Sequence, residues 1–470
     1  AIAAAEGVAW PPTHAAVPRV HVAMDTRPHS ARLKGCLVAG AAALGGVMTD
    51  HGLLSTPQLH HIVRMVNAGE AGDATAAGWA SEAGYYAMLA DAYRALTAEV
   101  SAGGAARGPL HLDCAHGVGA PKAQLLAAAL GDALTILPRN LGDTPAAAAA
   151  LNAGVGAEYA QKERKPPAGF SAAADAGARC ASLDGDADRL VYHYYDTGAG
   201  AWHLLDGDKI ATLAAAFLAD QLRALGWTIT KEPTHVHHDD AGHHHAAPAP
   251  APAPGTVSVG IVQTAYANGA STAYVAGTLH LPVVMAKTGV KYVHHAATAY
   301  DVGVYFEANG HGTVLFHPDF LAALRGMPTD GLSPPAAAAR RRLLAAAQLI
   351  NQAIGDALSD ALFVEAVLAL KGWSVVEWDG VYADLPSRQS KMAVPDRSAV
   401  VTTPDETRVV SPAPLQDAID AAAARVPSGR AFVRPSGTED VVRLYAEAAT
   451  EAAAAELASA VAAAVSAHLR

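Results

Sequence analysis

Three times along the chain a short apolar run gives way to a polar or glycine-containing turn and then to a helical stretch rich in Ala and Leu. The first run is Val20-His21-Val22-Ala23-Met24, followed by Asp25-Thr26-Arg27-Pro28 and an Ala/Leu-rich helix within the segment that ends at Leu54. The second is Leu110-His111-Leu112-Asp113-Cys114, which turns at His116-Gly117-Val118-Gly119 into a helix from Pro121. The third covers residues 257–262 and turns at Asn268-Gly269. Strands alternating with helical stretches predict α/β domains. The last hundred residues have another rhythm. Short strands around Ala431-Phe432-Val433 and across 441–446 precede an Ala-rich amphipathic helix to Arg470.

Two stretches break the pattern. Residues 231–254 gather His235, His237, His238, His243, His244 and His245 beside Asp239 and Asp240, then alternate Ala and Pro from 247 to 254. Such a cluster can bind a transition metal. The Ala-Pro tail cannot pack, and the stretch is expected to be a flexible surface insertion whose metal binding is incidental. Residues 325–342, with three prolines and Arg340-Arg341-Arg342, read as a surface loop leading into a helix, its arginines a solvated face.

Composition narrows the picture. At 470 residues, with 51% hydrophobic and 16% charged residues, the chain has material for about three domains. A net charge of −11 argues against nucleic acid and anionic membranes as partners. The apolar stretch at 37–48 is too short to span a bilayer, and the first residues lack a basic signal region. Cys36, Cys114 and Cys180 each stand alone in apolar surroundings, which predicts buried free thiols and a cytoplasmic protein.

Residues 184–189 read Asp-Gly-Asp-Ala-Asp-Arg. In an extended segment alternate side chains share a side, so Asp184, Asp186 and Asp188 are expected to converge. Three carboxylates that close raise one another's pKa unless a cation neutralises them. Oxygen ligands with no Cys or His beside them suit Mg²⁺ rather than zinc. A solvated Asp-Gly turn accounts for one such pair but poorly for three in register between two apolar runs.

Two further islands carry chemistry. In Phe432-Val433-Arg434-Pro435-Ser436-Gly437-Thr438-Glu439-Asp440, Pro435 and Gly437 shape a turn whose N–H groups can face an anion. Ser436 and Thr438 add hydroxyls, while Arg434 and Arg443 add guanidinium groups that grip phosphate in two-pronged fashion. In Phe306-Glu307-Ala308-Asn309-Gly310-His311-Gly312, a strand at 302–306 delivers Glu307 and Asn309 to one side of a Gly-rich loop. Carboxylate and amide together suit vicinal sugar hydroxyls. Lys287 and Lys291, on the loop Lys287-Thr288-Gly289-Val290-Lys291, are either solvated or contacts to a charged substrate.

Together these islands resemble the α-D-phosphohexomutase superfamily, in particular its phosphoacetylglucosamine mutase branch. Further matches are Asp25-Thr26-Arg27-Pro28, Ser55-Thr56-Pro57-Gln58-Leu59-His60, Asp206-Gly207-Asp208-Lys209-Ile210-Ala211-Thr212 and Gln263-Thr264-Ala265-Tyr266-Ala267-Asn268-Gly269. The wording Glu307-Ala308-Asn309-Gly310-His311-Gly312 points to the N-acetylated hexosamine branch. The resemblance implies three related mixed α/β domains and a smaller C-terminal α+β domain around a cleft. These are expected at 1–106, 107–209 (metal), 210–345 (sugar, with the 231–254 insertion) and 346–470 (phosphate). It also implies interconversion of N-acetylglucosamine 6-phosphate and 1-phosphate through a phosphoserine and a bisphosphate, for UDP-N-acetylglucosamine synthesis. Mg²⁺ would sit on Asp184, Asp186 and Asp188. Substrate would meet Glu307, Ala308, Asn309, Arg434, Pro435, Ser436, Gly437, Thr438 and Arg443, with Arg189, Lys287 and Lys291 as further contacts. A monomer acting on an N-acetylhexosamine phosphate is expected.

The chain departs from the branch at one decisive point. The family's phosphoserine lies in a Thr-Ala-Ser-His-Asn-Pro loop upstream of the Asp25 segment, and no such loop occurs here. Domain 1 is therefore expected to be truncated and the chain as printed to be inactive. A non-catalytic phosphosugar-binding homologue is the alternative. His116 stands where the family has Asn.

Overall fold

A computed structural model describes residues 17–100, 108–235, 255–437 and 439–469. The first α/β unit is small. Strand β1 (Arg19–Met24) lies parallel to β2 (Val47–Leu53), with the helix Ser30–Ala43 as crossover. Strand β2 falls in a stretch read from sequence as helical. Gly45, at φ 74°, and Gly46 end the helix, and β-branched Val47 and Thr49 start a strand. The crossover helix buries none of its residues, and Cys36 on it is exposed, against expectation. Cys114 and Cys180 are buried free thiols, as expected.

The second sheet runs β4-β3-β5-β6-β7 and is formed by β3 (Leu110–Asp113), β4 (Ile136–Arg139), β5 (Arg179–Leu183), β6 (Leu190–Tyr195) and β7 (Trp202–Leu205). Strands β3, β4 and β5 are parallel, and β6 and β7 extend the sheet antiparallel. Every residue of β5 and β6 is buried, as strands covered on both faces require.

The third sheet repeats this plan. Its central strand β9 (Thr256–Thr264) is parallel to β8 (Thr228–Thr230), β10 (Val283–Ala286) and β11 (Val302–Phe306), and β12 (Gly312–Phe316) closes antiparallel on β11. The C-terminal unit has β13 (Ser387–Ala393), the short pair β14 (Val401–Thr402) and β15 (Val409–Ser411), then β16 (Arg430–Pro435) and β17 (Val441–Glu447). Its main sheet has the order β13-β17-β16 and is antiparallel throughout.

Two expected boundaries fall inside packed elements. The helix Gly207–Ala224 starts before residue 210 and is buried along nearly its whole length. The helix Ala357–Lys371, assigned by sequence to the last domain, lies in the central core with the helices Glu82–Thr97 and Gly207–Ala224. The separate C-terminal core is built from Val394 onward. Residues 231–235 also belong to the packed third unit, because the backbone N–H groups of Thr234 and His235 donate to Ala299 O at 3.1 and 3.0 Å. The remainder of the expected insertion, 236–254, lies outside the described residues. Arg340, Arg341 and Arg342 lie on the helix Pro334–Leu349, where Arg341 and Arg342 pair with Glu99. Among the described residues no helix is long and apolar enough to cross a membrane.

Candidate active site

The 184–189 segment leaves β5 as a tight turn rather than an extended strand. Ala187 sits at φ 58°, and its N–H donates to Asp184 O at 3.2 Å. This bend, not strand alternation, brings ligand atoms of Asp184, Asp186 and Asp188 within 4.8 Å of one another. A left-handed alanine costs about 1–2 kcal/mol. Neighbouring backbone holds it there: Ala357 N–H donates to Ala187 O at 3.1 Å and Thr56 N–H to Asp186 O at 3.3 Å. Two glycines make the fit possible. A Cβ at Gly117 would lie 2.4 Å from Gly185 O, and one at Gly185 would lie 2.9 Å from Asn152 Nδ2. His116, the residue that departs from the family, adopts φ 57°, a region in which His as well as Asn is enriched.

Each carboxylate has its own holder. Asp184 is buried and accepts from the N–H groups of Asp188 and Arg189 at 3.0 and 3.3 Å. Asp186 accepts from Arg27 Nη2 at 3.1 Å and Thr56 Oγ1 at 2.9 Å. Asp188 Oδ2 lies 3.2 Å from His311 Nδ1, and Arg189 Nε approaches Asp188 at 3.8 Å and Asp184 at 4.0 Å. Burial first, then the Asp188 and Asp186 charges, push the Asp184 carboxyl well up. Burial also raises Asp188, but the bond to His311 and the His311 and Arg189 charges outweigh it and hold it down. Asp188 Oδ1 is buried without a hydrogen bond among the described residues. An all-oxygen donor set, an orphaned carboxylate oxygen and a His braced on the outside fit Mg²⁺.

The 307–312 loop is pressed against this turn. Leu190 N–H donates to Gly310 O at 3.0 Å, and Arg189 and His311 form a β-bridge. Gly310, at φ 88°, has no room for a side chain, since a Cβ would lie 2.1 Å from Leu190 O. Glu307, Ala308 and Asn309 then line a cavity of about 200 Å³ together with Arg434, Arg443, Thr264, Tyr266, Thr288, Gln161 and Gln389. Sugar-type and phosphate-type side chains, distant in sequence, thus face one space.

Arg434 and Arg443 are cross-strand partners on β16 and β17. Arg434 Nε donates to Tyr266 Oη at 3.1 Å, and its Nη1 lies 3.5 Å from Glu406 Oε2. Arg443 is 3.6 Å from Glu439. Pro435 ends β16, and Ser436 N–H closes the hairpin onto Val441 O at 2.9 Å. Gly437 is not left-handed, so the guanidinium groups dominate this end rather than a backbone nest. Thr438 lies outside the described residues. Lys287 and Lys291 do not line the cavity. Their ammonium groups flank the Tyr292 ring at 5.0 and 4.9 Å, while Thr288 between them does line it.

Sequence reasoning did not single out Arg27, Thr56, His311, Tyr266 or Glu406 as site residues. The first four lie inside family-like segments, and Arg27 and Thr56 offered the clearest signal. A second cavity, about 470 Å³, is lined by Asp25, Arg27, Ser30, Leu33, Leu37, Ser55 and Thr56, among others, and two of these, Arg27 and Thr56, bond Asp186.

Comparison with known proteins agrees with the site. Residues 1–74 match the family model for phosphoglucomutase/phosphomannomutase, alpha/beta/alpha domain I. Residues 246–373 match phosphoacetylglucosamine mutase AMG1, domain III, and 386–464 match the phosphoglucomutase/phosphomannomutase C-terminal domain. Phosphoacetylglucosamine mutase of Mus musculus is 42% identical over 439 residues, 93% of this chain and 73% of that protein. That of Arabidopsis thaliana is 43% identical over 453 residues, 94% and 75% respectively. The crystal structure of Aspergillus fumigatus N-acetylphosphoglucosamine mutase in complex with GlcNAc-6P and magnesium superposes with TM-score 0.84 at 41% identity, covering 98% of this chain and 84% of that one. The chain belongs to the phosphoacetylglucosamine mutase family.

Proposed function

We propose that this chain binds N-acetylglucosamine 6-phosphate and 1-phosphate and serves their interconversion. The observation that carries this reading is the shared cavity. Glu307 and Asn309 meet Arg434 and Arg443 across it, and the 307–312 loop is bonded to the carboxylate turn. Substrate oxygens on the sugar would bind Glu307, Asn309 and the Ala308 backbone, and the non-reacting phosphate would bind Arg434 and Arg443. Pro435, Ser436 and Gly437 follow Arg434 at the end of β16, and Arg189 positions Asp184 and Asp188. A grip that reads hydroxyls on one side and phosphate on the other tolerates either end of the sugar toward the carboxylates, which a mutase needs. Asp184, Asp186 and Asp188 would hold Mg²⁺, which offsets charge on a transferring phosphoryl group.

The phosphoserine loop implied by the resemblance lies outside the 470 residues, and turnover would need it in place. The cavity beside Arg27 and Thr56 is where its hydroxyl would meet Asp186. The four units are read as the family's four domains. A monomer is the simplest assembly. Three unbridged cysteines support a cytoplasmic setting. A phosphosugar-binding role without turnover is the second reading.

Calorimetry and a coupled assay separate the two. The chain as printed is expected to bind N-acetylglucosamine 6-phosphate with Mg²⁺ present and to show no turnover. The same chain preceded by a family N-terminal segment bearing Thr-Ala-Ser-His-Asn-Pro is expected to turn over, and Asp186→Ala to abolish both Mg²⁺ binding and that activity. Binding without turnover in the extended chain would favour the second reading. No binding in either would sink both.

A further inference from the structure

Three helices from separate parts of the chain each turn one face into a common space. On the helix Thr56–Glu70, His61, Arg64, Met65 and Ala68 recur at the three- and four-residue spacing of a single face. Leu321 and Arg325 do the same on the helix Pro318–Gly326, as do Leu344, Ala347 and Gln348 on Pro334–Leu349. With Trp79 and Met88 they line a cavity of about 290 Å³. It shares no lining residue with the two cavities described above. Arg64 and Arg325 are exposed and stand at its rim, while buried Met65 and Met88 and half-buried Trp79, Leu321 and Leu344 form an apolar interior.

The polar groups of this cavity are unequally engaged. His61 Nε2 donates to Trp79 O at 3.3 Å, and burial pushes its pKa down to about 4, so it is neutral. Asp73 accepts from the N–H groups of Thr75 and Ala76, both at 3.0 Å, as the cap of a short helix. Asn351 Nδ2 donates to Pro57 O at 3.3 Å and Gln352 Nε2 to Val314 O at 2.9 Å. By contrast, the guanidinium groups of Arg64 and Arg325 and the amide of Gln348 have no hydrogen bond or ion pair among the described residues. The arginines beside them are occupied: Arg340 Nε donates to Leu324 O at 2.6 Å, and Arg341 and Arg342 pair with Glu99. Packing around Arg64 also takes water from its guanidinium and lowers its pKa, an effect that an anion would reverse.

We propose that this cavity binds a small phosphate monoester with an apolar or aromatic body. Two guanidinium groups match the two charges of such a head, and each can grip its oxygens in pairs. The indole, thioether and leucine walls accept the body, and Gln348 is left for one polar atom on it. The volume lies just under the ~300–1,000 Å³ of most small-molecule sites, which fits a ligand of one ring. Arg64 stands about 12 Å along its helix from Thr56, whose Oγ1 bonds Asp186. On the opposite wall, Thr313 Oγ1, on the strand that leaves the 307–312 loop, donates to Asn351 O at 2.7 Å. A bound ligand would therefore tie the helix behind Asp186 to the sheet behind that loop.

The test is calorimetric titration of phenyl phosphate into the full chain carrying Arg434→Ala and Arg443→Ala, without Mg²⁺. Those changes remove the other pair of cavity-lining arginines, and the missing cation leaves the carboxylate triad unable to hold a phosphate. One phenyl phosphate per chain is expected to bind. Adding Arg64→Gln and Arg325→Gln is expected to weaken it by about tenfold or more, the effect of losing a charged hydrogen bond. Both positions are exposed, and an unchanged urea midpoint shows that this variant remains folded. Phenol, which lacks the anion, and inorganic phosphate, which lacks the ring, are each expected to bind more weakly than phenyl phosphate. No binding in the first protein, equal affinity after the Arg64 and Arg325 changes, or inorganic phosphate binding as tightly as phenyl phosphate overturns the proposal.

Discussion

At the 184–189 turn backbone meets backbone, whereas the arginines on the strands β16 and β17 meet acidic side chains. The first is fixed by Val118 N–H on Gly185 O at 3.1 Å, by Ala357 and Thr56 on the next carbonyls, and by glycines with no room for a methyl group. Around the second, a Cβ at Gly437 would touch nothing within 4 Å, Arg443 is 42% exposed, and the arginines lean on Glu439 and Glu406. A cation would therefore meet a site already shaped, while on the proposed reading a phosphate would meet arginines that must release acidic partners to receive it. Rigidity has gone where three like charges must be held together. Adaptability has gone where either end of a substrate must be accepted.

The sharpest way to break this contrast is Gly117→Ala. A methyl group 2.4 Å from Gly185 O has no escape, and we expect a loss of about 3 kcal/mol or more. A urea midpoint equal to that of the unchanged chain would show that the turn yields. Arg434→Ala comes next. It is expected to weaken N-acetylglucosamine 6-phosphate by about 2 kcal/mol, the worth of a charge-assisted bond, while a Mg²⁺ titration stays put. A coupled loss of Mg²⁺ affinity would mean that the two ends are not independent.

The β5–β6 sheet that carries the metal turn also predicts a pH effect. His193, fully buried beside Ser182, Phe170 and Trp202 with the Asp175 and Arg139 charges nearby, is pushed down to about 3 by burial. Its neutral form is favoured in the fold. The stability it contributes is complete above the unfolded pKa of about 6.5 and drains away as pH falls toward 3. Denaturation midpoints between pH 6.5 and 4 should therefore fall less steeply in His193→Gln than in the unchanged chain. Equal slopes would place the acid sensitivity elsewhere. The smallest effect is Gly437→Ala, expected within about 0.5 kcal/mol in stability. A large loss there would erase the distinction between the two turns.

Much of this was legible in the chain because burial on both faces leaves an unmistakable trace. The strands near 110, 180, 190, 257 and 302 read as apolar runs, and each exists. Strand β2 did not, since half-exposed residues such as Asp50 and His51 carry no such signature. The carboxylates were legible as a trio, but their convergence depends on the left-handed Ala187, a conformation that alanine does not advertise. Their holders were harder still. Arg27 and Thr56 reach Asp186 across 159 and 130 residues, and only the assembled fold brings such positions together. The expected division near 346 was hard to place for a related reason. The apolar helix Ala357–Lys371 carries no mark of which core it joins.

Strands β16 and β17 are pinned at one end. Glu447 is buried, accepts from Arg430 Nε at 2.7 Å, and takes Gly269 N–H at 3.1 Å, while Arg430 also donates to the carbonyls of Ala265 and Ala267. Arg434 and Arg443 lie four residues farther along the same two strands, about 13 Å from that anchor. β17 is also paired along its length with β13, so the hairpin can turn only together with the C-terminal sheet, about a fulcrum on the turn after β9. A few degrees of rotation at the fulcrum would move the guanidinium tips by about 1 Å, enough to exchange a glutamate for a phosphate, while the hydrogen bonds at the pivot hardly lengthen.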